Sequence, residues 1–163
     1  MNITFEPAVP ADAEALCKVQ IASFESDAVM YPGVTAGGPR GYNQIESVLE
    51  QIRDEAVTKI VAEGHIIVGG IVVSELEPGH YHLDRLYIDP AYHNLGIGSR
   101  AMQFIEREYP ADLWTLNTPT FALRNQHFYE KFGYVRVGEG PEPDHTDIIL
   151  IDYEKQIRGA ESP

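Results

Sequence analysis

Cysteine, basic residues and long apolar runs are all scarce in this sequence, and each shortage excludes something. Cys17 is the only cysteine, so no internal disulfide can form, and a reducing, cytoplasmic compartment is the expected setting. Lys and Arg number 12 against 25 Asp and Glu, a formal net charge of −13. A field of that sign disfavours nucleic acid, anionic membranes and polyanions generally. It favours cationic acceptors such as amines, although a solvated acidic surface that only aids solubility is the commoner explanation of such a charge. The longest apolar run, Ile66 to Val73, is broken by Gly69 and Gly70 and is far too short to span a bilayer. The first residues, Met-Asn-Ile-Thr-Phe-Glu, carry neither the basic start nor the apolar stretch of a signal peptide.

What is present is ordinary globular material. Apolar residues make up 44% and charged residues 23% of 163, enough for one domain, residues 1–163, with its own hydrophobic core. No repeat, low-complexity stretch or linker divides it. Residues 2–7 alternate as a strand, and Pro10 stands where a helix can start, with Ala15, Leu16, Val19 and Phe24 in helical period over 11–24. Pro32, Gly33, Gly37, Gly38 and Pro39 mark 25–40 as a loop. Ile45, Val48, Leu49 and Ile52 place a second helix over about 42–56.

From Val57 the period shortens to two. Strands 57–63 and 65–75 are joined at Glu63-Gly64 as a hairpin, and a turn at Pro78-Gly79 leads into strand 81–88. A helix then runs to about Tyr109, followed by strand 112–116, a helix over about 122–132, and strands near 134–138 and 145–153. The order β-α-α-β-β-β-α-β-α-β-β describes an α/β fold, a mixed sheet with helices on its faces.

The stretch with chemical content is Leu86 to Arg100. A strand meets a turn, and Gly96 and Gly98 open a helix. Residues without Cβ let the backbone turn tightly and bring N–H groups to a ligand. The helix start adds unpaired N–H groups and the positive end of its dipole. Together they suit a pyrophosphate, and Arg100 in the first turn supplies a charge. Two glycines one residue apart also make a simple turn, so the pair alone decides nothing. A Rossmann site is disfavoured, because several strands precede the motif and no acidic residue closes a suitable next strand. A P-loop is excluded, since Gly-Lys-Ser/Thr is missing.

The segment His93-Asn94-Leu95-Gly96-Ile97-Gly98 resembles the pyrophosphate loop of the GNAT superfamily of acetyl-CoA-dependent N-acetyltransferases, written Arg/Gln-x-x-Gly-x-Gly/Ala. Some thirty residues on, Asn125 to Tyr134 is similar to the family's second signature, a helix ending in Tyr-x-x-x-Gly-aromatic, here Tyr129, Gly133 and Tyr134. The close resemblance runs from Tyr81 to Tyr134, about a third of the chain. It departs at position 93, where His replaces Arg or Gln. If the loop binds mainly through backbone N–H groups, His serves there, with pH-sensitive CoA affinity as a consequence.

The resemblance implies a mixed, mostly antiparallel central sheet of about seven strands with helices on both faces, and acetyl-CoA as cosubstrate without a metal. It implies acetyl transfer to an amine by direct attack in a ternary complex, and dimers are common in such proteins. CoA contacts would come from Leu86, Tyr87 and Ile88 through backbone groups, from His93, Asn94, Leu95, Gly96, Ile97, Gly98, Ser99 and Arg100, and from Asn125. Tyr129 would protonate the departing thiolate, as a phenol can; the bland alternative is an amphipathic helix residue beside Phe128 and Phe132. For Asn125 the alternative is a surface side chain.

The two-residue period puts the side chains of 82, 84, 86 and 88 on one face. His82 and Asp84 are therefore the candidate bases for the acceptor ammonium, His82 having the better-matched ordinary pKa. Both are equally readable as surface polar residues. His80 and His82 share a spacing that metal ligands use, but no further ligand cluster accompanies them. Cys17 reads as a small buried filler. The acceptor pocket is expected from the first two helices and the 25–40 loop, with Tyr31 and Tyr42 as walls and Glu25 or Asp27 meeting a cation. A non-catalytic acyl-CoA-binding module, another acyl-CoA, or a protein amine as acceptor are the competing readings.

Overall fold

Alternation of apolar and polar residues starts the chain as a strand, and helical spacing takes over once Pro10 sets φ for a first turn. The computed structural model describes residues 1–30, 38–143 and 145–157. In chain order the elements are β1 (Ile3–Pro7), a 3-10 turn (Pro10–Asp12), α1 (Ala13–Met30), α2 (Ile45–Asp54), β2 (Ala56–Ala62), β3 (Ile66–Glu77) and β4 (His80–Ile88). A second 3-10 turn (Pro90–Tyr92) leads to α3 (Ile97–Glu108), β5 (Leu113–Pro119), α4 (Leu123–Lys131), β6 (Val135–Glu142) and β7 (His145–Gln156). The strands form one seven-stranded sheet in the order β1-β2-β3-β4-β5-β7-β6. β1–β2, β2–β3, β5–β7 and β6–β7 are antiparallel, and β4–β5 is parallel.

The expected order of elements holds, with corrections to several boundaries; β6 runs to Glu142 and β7 to Gln156, four and three residues past their expected ends. Residues 25–30 belong to α1 rather than to a loop, because no Pro or Gly interrupts the helix before position 32. Residues 31–37, and with them Tyr31, lie outside the described residues. α2 is shorter than the apolar spacing suggests. Turn hydrogen bonds from Tyr42 N–H to the Pro39 carbonyl (3.0 Å) and from Gln44 N–H to the Gly41 carbonyl (3.1 Å) hold Tyr42–Gln44 outside it. β5 runs to Pro119, three residues past the expected end, because β7 pairs with it as far as Leu150.

The chain divides into two compact units, Met1–Ser74 with Asp84–Ile105, and Glu75–Leu83 with Glu106–Pro163. In the first, Leu16, Cys17 and Val19 of α1 and Val48 of α2 pack with Val57, Val72 and Tyr87 of the sheet. Ala15 is exposed instead, and Leu16, Val19, Gln20 and Ser23 define the buried stripe. Cys17 is the buried filler expected of it, its thiol donating to the Tyr42 carbonyl (3.8 Å) and pushed up by burial and by Glu46. In the second unit, Trp114 is fully buried among the rings of Tyr81 (5.6 Å) and Tyr109 (6.0 Å). Two side-chain bonds between residues distant in sequence add to it, Lys155 to Glu106 (2.8 Å) and Tyr153 to Glu130 (2.8 Å).

The end of α4 explains a motif physically. Gly133 has φ +93, and its N–H bonds to the Glu130 carbonyl (3.0 Å) while the Tyr134 N–H bonds to the Tyr129 carbonyl (3.2 Å). This is the Schellman arrangement, and the Tyr129–Tyr134 ring contact at 6.0 Å is its hydrophobic partner. Tyr-x-x-x-Gly-aromatic is thus a helix terminator, whatever else Tyr129 does. A Cβ at 133 would meet only Lys155 at 3.4 Å, so Gly133→Ala tests backbone conformation almost alone. We expect a loss of about 1–2 kcal/mol, seen in a thermal melt as a fall of roughly 2–8 °C. An unchanged melt would mean that α4 does not need this cap.

Candidate active site

The turn after β4 is built by local bonds. Asp89 accepts from the Ala91 N–H (2.9 Å), and Pro90 starts the 3-10 turn that follows. His93 then folds back, its Nε2–H donating to the Ile88 carbonyl (2.8 Å). That bond ties the loop to the end of β4 and gives His93 a local task that Arg or Gln would perform differently. Asn94 (φ 62) and Gly96 (φ +78) both sit in the left-handed region, where Asn and Gly are the residues that cost least. Leu95 between them is exposed.

α3 begins at once. The Arg100 N–H reaches the Gly96 carbonyl (3.2 Å), so the N–H groups of Ile97, Gly98 and Ser99 precede the first helical bond. The helix is anchored by buried Ile97, Ala101, Met102 and Ile105. The Arg100 guanidinium donates to the Ile3 carbonyl on β1 (3.2 Å), which commits one of its donors to the fold. The helix start itself presents backbone N–H groups and the positive end of the dipole, groups of the kind that suit an anion.

On β4 the parallel ladder to β5 pairs His80 with Leu113, Tyr81 with Trp114 and His82 with Thr115. Leu86–Ile88 run beyond that ladder. The Tyr87 side chain is buried in the first unit's core, so only its backbone is available to a ligand. Burial also pushes its phenol far up.

His82 and Asp84 have different hydrogen-bond partners. His82 Nδ1 lies 2.7 Å from the Thr115 hydroxyl, and His80 Nε2 lies 2.9 Å from the same oxygen. Burial, then the neighbouring His80, push the His82 imidazole below its ordinary value, with Asp152 pulling the other way. Asp84 instead contacts the Ser74 hydroxyl, which also reaches Glu55 at 3.2 Å. Partial burial pushes the Asp84 carboxyl up, against the opposing pull of Ser74 and Arg85. Glu55 moves the same way, through burial and then the Asp84 charge. Arg85 bonds to Gln20 (2.7 Å) and to the Arg40 carbonyl (2.7 Å).

Among the acceptor candidates, Glu25 and Tyr42 do meet, the Tyr42 hydroxyl donating to Glu25 at 3.0 Å. Burial and that carboxylate push the phenol up. Asp27 lies two residues further along α1, half-buried. Tyr129 is half-buried on α4 with its ring against Phe128 (5.2 Å) and Tyr134, and Asn125 one turn earlier is exposed. Among the described residues no group of three or more His, Cys, Asp or Glu is placed to hold a metal ion. No described helix is long and apolar enough to cross a membrane.

Thr115, Ser74 and Glu55 were not singled out by sequence. Alternation along Leu113–Pro119, with Trp114, Leu116 and Thr118 buried, already places Thr115 on the other face. Its pairing with His82 follows only from the strand register.

A model of the acetyltransferase (GNAT) domain matches residues 55–136, half of the chain. The uncharacterized protein YrkN of Bacillus subtilis is 39% identical over 74 residues, which is 45% of this chain and 40% of that protein. The chain therefore spans well under half of that relative. The fold is shared with an acetyltransferase from Thermus thermophilus (TM-score 0.73, 16% identity, 96% of this chain and 98% of that one). It is also shared with the PaiA N-acetyltransferase of Thermoplasma acidophilum, solved in complex with coenzyme A (TM-score 0.72, 21% identity, 96% of this chain and 100% of that one).

Proposed function

Because this chain belongs to the GNAT acetyltransferase family, we propose that it moves an acetyl group from acetyl-CoA to the amine nitrogen of a small molecule, directly and within a ternary complex. The observation that carries this reading is the left-handed turn at Asn94 and Gly96 opening onto the α3 N-terminus, a backbone cradle for the CoA pyrophosphate in a protein of net charge −13. The CoA-bound PaiA enzyme, with the same fold, supports it.

In this reading Leu86–Ile88, beyond the β5 ladder, offer backbone groups to the pantetheine arm, and one N–H polarises the thioester carbonyl. His82 or Asp84 takes a proton from the acceptor ammonium. The freed nitrogen attacks the carbonyl carbon, the C–S bond breaks, and Tyr129 protonates the thiolate to give CoA. Glu25 and Tyr42, joined by their hydrogen bond, form the part of the acceptor pocket that meets the cation. The overall acidity favours polyamines, amino acids or aminoglycosides over acidic acceptors.

Thiol release from acetyl-CoA, measured across these amines and a peptide N-terminus, tests the proposal. Turnover with at least one small amine is expected. Tight acetyl-CoA binding without thiol release from any of them would identify a non-catalytic acyl-CoA-binding module instead. The pH profile assigns the base. With His82 as base, kcat/KM falls on the acid side through a pKa below the ordinary imidazole value, because burial lowers it. His82→Gln abolishes that limb and Asp84→Asn leaves it; two variants with unaltered profiles would remove both residues from the mechanism.

A further inference from the structure

Two imidazoles, on β4, share one hydroxyl on β5. Thr115 Oγ1 lies 2.7 Å from His82 Nδ1 and 2.9 Å from His80 Nε2. The strand register, His82 opposite Thr115 and His80 opposite Leu113, holds all three side chains on one face of a short parallel ladder. A threonine hydroxyl has one proton to donate and lone pairs to accept with. It can therefore donate to only one of the two rings, and the other contact requires a ring N–H. Of the ordered arrangements, one makes His82 Nδ1–H the donor to Thr115 and Thr115 O–H the donor to His80 Nε2. That arrangement alone leaves the His82 Nε2 lone pair free while giving the hydroxyl proton a destination.

We propose that His82, Thr115 and His80 form a proton relay, in which Thr115 and His80 position and discharge the His82 base; this rests on the acetyl-transfer reading above. One proton passes from the acceptor ammonium to His82 Nε2. The Nδ1 proton of His82 moves to Thr115 Oγ1, and the hydroxyl proton moves to His80 Nε2. His80 then releases its Nδ1 proton to water. Net, one proton leaves the ammonium and one reaches solvent; His82 and His80 end as neutral rings of the opposite tautomer. They reset after the product leaves, when His80 takes a proton from water at Nδ1, the Nε2 proton of His80 returns through Thr115 to His82 Nδ1, and His82 releases its Nε2 proton.

The surroundings agree. On the Thr115 face, the charged residues of β7 paired with β5 are Glu154, the register partner of Thr115, and Asp152, the partner of Asn117, while Lys155, opposite Trp114, is on the other face and bonds to Glu106. Asp152 acts to hold a proton on His82, but burial and the His80 ring outweigh it, so the imidazole sits below its ordinary value and is neutral when an amine must be deprotonated. Mutual repulsion also disfavours charging both rings at once, which suits a path that carries a single proton through.

Histidine nitrogen NMR on the whole protein at neutral pH reads the arrangement without any turnover. Both neutral rings are expected to carry their proton on Nδ1; an Nε2–H tautomer at either ring overturns the relay. In the transfer assay, Thr115→Val keeps the β-branched shape and removes the hydroxyl, and His80→Gln removes the exit ring. Each should lower kcat about ten- to a hundredfold with the KM for acetyl-CoA unchanged, while Thr115→Ser restores most of the rate. Wild-type kcat in Thr115→Val and His80→Gln overturns the relay. Rings found in the expected tautomers in a wild type that transfers acetyl to no amine would instead overturn the transferase reading, leaving the hydrogen-bond chain as a structural feature.

Discussion

Replacing Tyr129 with Phe is expected to lower kcat about ten- to a hundredfold while the affinity for acetyl-CoA stays within about twofold. The substitution removes one oxygen and keeps the ring against Phe128 and Tyr134, at 5.2 and 6.0 Å. The Schellman cap of α4 is made of backbone bonds from Gly133 and Tyr134, so it survives too. In the proposed mechanism, what is lost is a proton donor for the leaving thiolate, an effect confined to the step in which C–S cleavage places charge on sulfur. Steady-state kinetics beside calorimetric titration of acetyl-CoA separates the two quantities. If kcat stayed at the wild-type level, Tyr129 would be a helix-end residue and the thiolate would take its proton from elsewhere. A parallel loss of binding and rate would place its hydroxyl in ground-state recognition of CoA instead.

Acetyl-CoA binding should be weakened about ten- to a thousandfold by Gly96→Ala and by Gly98→Ala, and the two should differ in stability. Gly96 has φ +78 with open space around the position of an added Cβ. Alanine there clashes with nothing but strains the backbone by about 1–2 kcal/mol, so the turn relaxes and the N–H groups lose their aim. Gly98 lies inside α3, where alanine favours the helix by up to about 1 kcal/mol. Its methyl group, however, would be added in the first turn, whose N–H groups a pyrophosphate approaches in the proposed site. Gly98→Ala should therefore melt no lower than wild type yet bind acetyl-CoA poorly, whereas Gly96→Ala should lose on both counts. Each charge-assisted hydrogen bond withdrawn is worth about 1.5–3 kcal/mol, which sets the range. Calorimetry decides it: wild-type affinity in both variants would dismiss the loop as the phosphate site.

Much of this was legible in the order of the residues, for reasons that are local. Hydrophobic period distinguishes α2 and α3 from β2 and β3 without any knowledge of their partners, because 3.6 and 2 are properties of the backbone itself. Glu63-Gly64 marks its hairpin, and Gly133 marks the end of α4, through conformations that other residues adopt at a cost. The proposed cradle at Gly96–Ser99 is equally local: a left-handed turn and a helix start are neighbours in the chain. Where local signals misled, tertiary packing was responsible. Glycine and proline clustered at 32–39 suggested a loop from 25, but nothing in 25–30 stops a helix that already packs its stripe on the sheet.

Sequence by itself determined the element order, the acidic charge, the glycine turn that opens α3 and the terminator in which Tyr129 stands. Only the tertiary structure decided which polar side chains work together. His82 and Asp84 stand two residues apart, yet one is joined to Thr115 and His80, the other to Ser74 and Glu55. Those partners are brought in by strand register and by a neighbouring strand, which depend on how the whole sheet buries its apolar faces. A hydrogen bond acts over about 3 Å of space, and residues 33 positions apart, as His82 and Thr115 are, come within that distance only when the sheet has formed.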